Sequence, residues 1–510
     1  MTVRWGKCFN FKKCKEAKQK HHIPVPRGAA FICPECAEPL TDENDLVHQE
    51  APATPSKKSP AILLVAVAVV LLLAVVVGFA RWGTQHGAKA ATSKTILRLA
   101  GSNTIGDTLG PSLAEAFLKD RGATNVRILP GANPLEKIVE GVLPGDSAPS
   151  SITIAAHGSA TAFTALAENN CDIGMASRKI KPDEAAKLKS QGDMTSVLNE
   201  HILGLDGIAV IVNAANPVNQ LDKDTIMRIF TGEITDWSQV GESRGAIKVY
   251  ARNDNSGTYD TFKSLVLGGK PLAAGAQRIE DSKALSDAVA ADPQGIGFIG
   301  LPYIQSAKPI AVSDKGTLAL MPTRLTVGTE DYLLSRRLYL YTPVNSSNIF
   351  MHKFLEFAIS RKGQDVVGAT GFVAQNVAQV EQTAPADAPP EYKSLTQDAS
   401  RLSLNFRFAS GQMDLDNKAK IDLERVVSLI ADLNYPADNI MLFGFSDSTG
   451  DYASNLALSQ SRAKAVENQL IRRGVRPAIV AGFGSELAVA SNDSDEGQAR
   501  NRRVEVWIRK

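Results

Sequence analysis

The longest apolar run in the chain is AILLVAVAVVLLLAVVVGFA, Ala61 to Ala80, which carries no charge. At ~1.5 Å per residue a helix of that length covers roughly 30 Å, the hydrocarbon thickness of a bilayer. The pattern therefore predicts a single transmembrane helix over 61–80. A secretory signal would have a shorter apolar part, a cleavage site and a position nearer the start. Lys57 and Lys58 precede the run, and the first sixty residues hold many more Lys and Arg; after it, Arg81, Lys89 and Lys94 are the nearby bases. By the positive-inside rule the N-terminus is cytoplasmic and residues 81–510 lie outside.

Beyond that run the pattern changes to short β-rich segments alternating with amphipathic helices. ILRLA, GIAVIVN, IKVYA and GIGFIG read as strands, and GPSLAEAFLKD and DTFKSLVL as helices, which is an α/β arrangement over 95–379. The pattern repeats over 396–510. KIDLERVVSLIADL is helical, NIMLFGFS a strand, and SQSRAKAVENQLIRRG a helix stopped by Gly474. The closing RRVEVWIRK sets Val504, Val506 and Ile508 against Glu505, Trp507 and Arg509, predicting a strand with one buried face. Two polar, Pro-rich stretches read as linkers: 41–60, and 380–395, which opens VEQTAPADAPPEY.

Composition adds limits. A chain of 510 residues is too long for one domain. The net charge of +2 gives no global attraction to nucleic acid. Four of the five cysteines precede the apolar run, as CFNFKKC (Cys8, Cys14) and CPEC (Cys33, Cys36). Clustered thiols on the cytoplasmic side stay reduced, so the four read as ligands of a structural zinc ion in a ribbon-like segment over 1–40, the other reading being free or redox-active thiols. Cys171, alone beyond the run, reads as a small buried residue.

Candidate chemistry beyond the membrane gathers at helix starts. LRLAGSNTIG puts Ser102, Asn103 and Thr104 between a strand and a helix, and VYARNDNSGTYDTF does the same with Ser256, Gly257 and Thr258; AAHGSATAF adds Gly158 and Ser159. Helix starts offer unpaired N–H groups and a positive dipole end, Gly257 admits close approach, and Arg252 can fork onto an oxyanion. Each, taken alone, reads first as a plain helix cap; three in one domain, one with an Arg, point to a tetrahedral oxyanion held between lobes. The segments GSNTIG, CDIGMASRKI, LGLDGIAVIVN, IMRIFTGEITDWSQVG, RNDNSGTYDTF, PQGIGFIG and KGQDVVGATGFV resemble, in order, those of PstS-type phosphate-binding periplasmic proteins. The resemblance implies a bilobed type II periplasmic-binding-protein fold that closes on phosphate or a related oxyanion. It also implies contacts from Thr104, Ile105 (backbone), Ser159, Arg252, Ser256, Gly257 and Thr258. Where the best-known branch has an Asp that accepts the ligand's proton, this chain has Arg178, which favours a more highly charged oxyanion; Asp254 is the alternative acceptor.

FSDSTGDYASNLALSQSRAKAV separates Asp447 from Arg462 by a turn and a helix start. A carboxylate and a guanidinium held apart suit an amine and a carboxylate on one carbon, and equally an internal ion pair. Helix geometry from Ser454 or Asn455 predicts an apolar stripe of Leu456, Ala463, Val466 and Leu470 with Arg462 beside it. With FRFASGQMDLD, GFGSE and NRRVEV, this text is similar to the OmpA-like peptidoglycan-binding family. That similarity implies an α/β sandwich in which Asp447 and Arg462 hold the diaminopimelate of a stem peptide. Asn455, Leu458, Ser459, Asn501 and Arg502 would support them.

The expected whole is a multidomain α/β, non-enzymatic protein of the bacterial inner membrane with periplasmic C-terminal domains. It would act as a sensor or scaffold, with a cytoplasmic partner as a further expectation. Two other readings are the substrate-binding subunit of an ABC importer, with a permease as partner, and an envelope phosphatase. The seven histidines are scattered and form no H-E-x-x-H motif, so catalysis is not expected.

Overall fold

The computed structural model describes residues 3–7, 22–26, 32–37, 40–42, 93–241, 245–254, 256–408, 414–433 and 439–509. They belong to two units, Met1–Ala90 and Ala91–Lys510. In the first, strands Val3–Lys7, His22–Pro26 and Thr41–Asp42 form an antiparallel sheet. Cys33 is buried with Ile23, Val25 and Leu40, and Ala37 N–H donates to the Cys33 carbonyl at 2.9 Å, closing a turn around the CPEC pair. Cys8, Cys14 and the run 61–80 lie outside the described residues. No helix among the described residues is long and apolar enough to cross a membrane, and no group of three or more potential metal-ligating side chains is found among them.

The second unit is built on a long mixed sheet. Its order is Gln277–Arg278, Lys248–Ala251, Gly295–Gly300, Glu200–Val212, Ser335–Tyr341, Ile173–Ala176, Lys94–Gly101, Ser150–Ala155, Glu136–Val142, Thr124–Pro130. The central pair, Glu200–Val212 against Ser335–Tyr341, is antiparallel with a bulge between Leu338 and Tyr339. These two strands join two cores. Leu203, Leu338 and Leu340 pack with Leu99, Ile152 and Phe354 in the first lobe. Leu205, Ile208 and Val210 pack with Ile226, Phe262 and Phe298 in the second. Crossing strands between two separately packed cores make a hinge of the kind that bilobed binding proteins close around a ligand.

A five-stranded sheet follows, ordered Gln379–Glu381, Ala399–Arg407, Arg503–Arg509, Ile440–Gly444, Ile479–Gly482. The helices Asn417–Leu433 and Tyr452–Ile471 carry its core with Ala463, Val466 and Leu470.

Three sequence expectations need correction here. The stretch 380–395, read as a linker, begins with the edge strand Gln379–Glu381 and contains most of the helix Pro390–Thr396. Its Tyr392 is buried against Phe443, Phe445, Phe483 and Trp507, and donates to Glu505 Oε2 at 2.8 Å. For the same reason the closing strand is buried on both faces, Glu505 and Trp507 included; the second face is covered by that helix and its aromatic cluster. Leu456 stands exposed, apart from the stripe of Ala463, Val466 and Leu470, because the helix starts at Tyr452 and presents its first turns to solvent.

Candidate functional site

Between the lobes lies a cleft of about 640 Å³ lined by Asn103, Thr104, Arg252, Thr258, Ser282 and Arg336, with Asp107, Lys137, His157 and Tyr303 among the residues around it. Thr104 comes from the turn after strand Lys94–Gly101, and Thr258 from the first turn of helix Gly257–Leu265. Their hydroxyls stand 3.5 Å apart across the lobes. Arg336 Nη2 donates to both, at 3.3 and 2.9 Å, and Nη1 donates to the Gly257 carbonyl at 2.9 Å.

The remaining predicted anion residues are placed in four ways. Ile105 is buried in the first lobe's core. Ser159 begins the helix Ser159–Ala167, bonds the Ser177 hydroxyl at 3.2 Å and accepts from Ser177 N–H at 3.0 Å. Gly257 sits against that pair so closely that a Cβ would lie 2.3 Å from Ser177 Oγ. Ser256 caps its helix, accepting from Tyr259 N–H at 3.4 Å. Arg252 is buried, donates to Ser282 Oγ, and its Nε finds no partner in the protein. Burial first, then the nearby Arg336 guanidinium, lowers its pKa. An oxyanion at that point would relieve both effects.

Arg178 is placed elsewhere. It forks onto Glu184 at 2.8 and 2.6 Å, stacks on Phe163, and does not line the cleft. The Glu184 carboxylate also caps Lys181 N–H at 2.9 Å. The charge expected to select a more ionised ligand is thus already neutralised. Asp254 is highly exposed and paired with Arg278, which removes it as a proton acceptor in the cleft. What sequence reasoning missed is Arg336 and its partner Asp206. The two are 130 positions apart, and Arg336 lies inside the strand text SRRLYLY, where alternation alone gives no sign of which arginine turns inward.

In the C-terminal domain, Asp447 and Arg462 are not bonded to each other. Asp447 Oδ2 accepts from Arg502 Nη1 at 3.1 Å, and Oδ1 from Thr449 N–H at 3.0 Å. Burial would raise the Asp447 pKa, yet these bonds bring it below the ordinary value. Arg462 is buried over the Phe408 ring, donates to the Phe445 carbonyl at 3.4 Å and leaves Nε without a partner. Burial brings its pKa down to about 10. The Asn455 amide faces the carbonyls of Asp447 and Thr449, and with its nitrogen on that side it donates to them at 3.3 and 3.0 Å. Ser459 Oγ accepts from Gly484 N–H at 2.9 Å, and Asn501 Oδ1 from Val489 and Ala490 N–H at 2.9 and 3.1 Å. Leu458 is exposed on the helix that carries Arg462. Asp451 is the N-cap of that helix, accepting from Ser454 N–H at 2.9 Å.

Comparison with known proteins matches residues 88–362 to the PBP superfamily domain and 407–502 to the OmpA family. The phosphate-binding protein PstS of Staphylococcus haemolyticus is 30% identical over 226 residues, 42% of this chain and 70% of that protein. Its Staphylococcus aureus counterpart is 30% identical over 238 residues, 45% and 71% of the two chains. Among solved structures, an ABC-type phosphate transport receptor from Vibrio cholerae aligns with TM-score 0.43 and 23% identity, covering 54% of this chain and 99% of that one. PstS from Borrelia burgdorferi aligns with TM-score 0.39 and 21% identity, covering 55% and 99%. The chain therefore belongs to the PBP superfamily, with the PstS proteins as its relatives, and carries an OmpA-family domain behind the binding lobes.

Proposed function

We propose that this protein binds phosphate between its two lobes and grips peptidoglycan through Asp447 and Arg462, holding the binding domain at a fixed place in the bacterial envelope. The observation that carries the phosphate reading is Arg252, a buried guanidinium with an unpartnered Nε, set beside Arg336. The cleft they line also presents the hydroxyls of Thr104 and Thr258. Each feature favours a compact oxyanion with several acceptor atoms. The relatives named as phosphate-binding proteins support the same ligand. Calorimetric titration of the protein with phosphate, sulfate and arsenate tests it; absence of heat with all three would refute the reading.

The peptidoglycan reading rests on Arg462. Its guanidinium is buried without a carboxylate partner, while Asp447 stays ionised through Arg502. A ligand bearing an ammonium and a carboxylate on one carbon, as diaminopimelate does, would satisfy both side chains. Retention on isolated sacculi is the measurement.

The N-terminal part of the proposal is a cytoplasmic zinc ribbon followed by one membrane helix over 61–80. Its support is the CPEC turn with Cys33 inside the small core, and the uncharged run itself. Metal analysis of the full-length protein should return one zinc per chain, lost in Cys33→Ser. Accessibility labelling from either side of the membrane should place Lys510 outside the cytoplasm.

A further inference from the structure

The OmpA-family domain touches both lobes of the binding domain, on either side of the hinge. Its contacts with the second lobe are extensive and buried. Arg401 pairs with Asp331 at 2.7 Å, and Asn405 donates to Asp331 Oδ1 at 2.8 Å and to the Thr329 carbonyl at 3.0 Å. Arg500 donates to the carbonyls of Glu330 and Tyr332 at 3.1 and 3.0 Å, and to Ser335 Oγ at 3.0 Å. Ala490 is packed into the second lobe's own core.

Its contacts with the first lobe come from one helix, Asn417–Leu433. Asn417 Nδ2 donates to the Thr195 carbonyl at 2.9 Å and to Glu200 Oε1 at 3.1 Å. Arg425 Nη1 donates to Gln375 Oε1 at 3.0 Å, and Gln375 in turn donates to the Ile202 carbonyl at 2.6 Å, at the first-lobe end of the crossing strand. Asp416, just before the helix, pairs at 2.8 Å with Arg337 on the other crossing strand.

Strand Ser335–Tyr341 brings the two sides together. Successive side chains of a strand point to opposite faces. Arg336 reaches Thr104 and Thr258 in the cleft, while its neighbours Ser335 and Arg337 bond Arg500 and Asp416 of the C-terminal domain. A rotation of one lobe against the other must therefore shear one set of these contacts.

We infer that the C-terminal domain is a staple across the hinge, limiting how far the lobes open and so setting anion affinity. A domain that bonds both lobes in the closed arrangement raises the population competent to bind, and apparent affinity scales with that population. The anchoring domain then regulates the site that it anchors. The affinity part of this inference rests on the phosphate reading; the part concerning the hinge does not.

The test measures lobe separation in the full-length protein. Spin labels on noncanonical residues replace the exposed Lys119 in the first lobe and Lys283 in the second, and distances are read by pulsed dipolar spectroscopy. Without ligand, the unmodified interface should give a narrow distribution, whereas Asn417→Ala combined with Arg425→Ala should give a longer and broader one. Asn417→Ala alone, which keeps every ion pair of the interface and leaves Glu200 its bond from the Tyr341 hydroxyl, should move it in the same direction. In the double variant phosphate should bind about fivefold or more weakly. Distributions that superimpose for all three proteins would overturn the staple. If phosphate fails to bind the protein with its interface intact, the functional proposal falls, while the distances still decide the hinge question.

Discussion

Arg336 and Asp206 form a fully buried ion pair on the two crossing strands, with Nη2 and Nε at 2.7 and 3.0 Å from the same carboxylate oxygen. The pair places one guanidinium where both lobes meet, and its remaining donors are spent on Thr104, Thr258 and Gly257. Removing only the carboxylate strands a charge in a site with almost no water access. Asp206→Ala is expected to cost ~3–5 kcal/mol of unfolding free energy and to abolish phosphate binding, as checked by urea denaturation and by titration.

Gly257→Ala tests the closeness of the second lobe's helix start. The added methyl would lie 2.3 Å from Ser177 Oγ and 3.1 Å from Ser159 Oγ. Overpacking of this kind costs ~1–3 kcal/mol. The helix must move away from Ser159, so the phosphate-induced rise in melting temperature should disappear even where the protein remains folded. In the parent protein, phosphate at 100-fold its dissociation constant should add ~2.7 kcal/mol.

For the proposed peptidoglycan site, Asp447→Ala and Arg462→Ala should each release the protein from sacculi, measured by sedimentation. Arg462→Lys should release it too, since an ammonium cannot fork onto a carboxylate. Arg502→Ala removes the ion pair that holds Asp447 in place; weakened but measurable retention is expected.

Acid should undo the docking of the C-terminal domain on the binding lobes. Glu330 and Asp331 are buried, which by itself would raise their pKa values, yet Arg337 and Arg407 around the first and Arg401, Arg503 and Arg407 around the second bring both below the ordinary 4.5 and 3.8. A carboxylate depressed on folding contributes stability above its unfolded pKa and loses it as pH falls towards the folded value. Denaturation profiles should be flat near neutrality and decline below about pH 4.5, by up to ~1.4 kcal/mol per pH unit for each proton taken up. In Arg401→Met the acid decline is expected to be shallower, from a lower starting stability.

The limits of the sequence follow from how local each feature is. Asp447, Asn455, Ser459 and Arg462 lie on one turn and one helix, so their spacing already describes the site. Thr104 and Thr258, each at a helix start, line the cleft, whereas Ser159, also at a helix start, bonds Ser177 instead. Arg336 and Asp206 depend on two strands far apart in the chain, and only pairing brings them together. Arg178 misled because its charge says nothing of Glu184, whose bonds to it and to Lys181 N–H use up both groups. The closing strand was read as half-exposed because nothing in its alternation reveals a covering helix from 113 positions upstream.

Tyr392 also decides where the C-terminal domain can be cut free. A fragment beginning after Thr396 would lack the phenol that closes over Trp507 and bonds Glu505, leaving an aromatic wall open to water and a buried carboxylate short of a donor. An excised domain that is soluble and monomeric must start at or before Gln379, so that the edge strand and the covering helix travel with it.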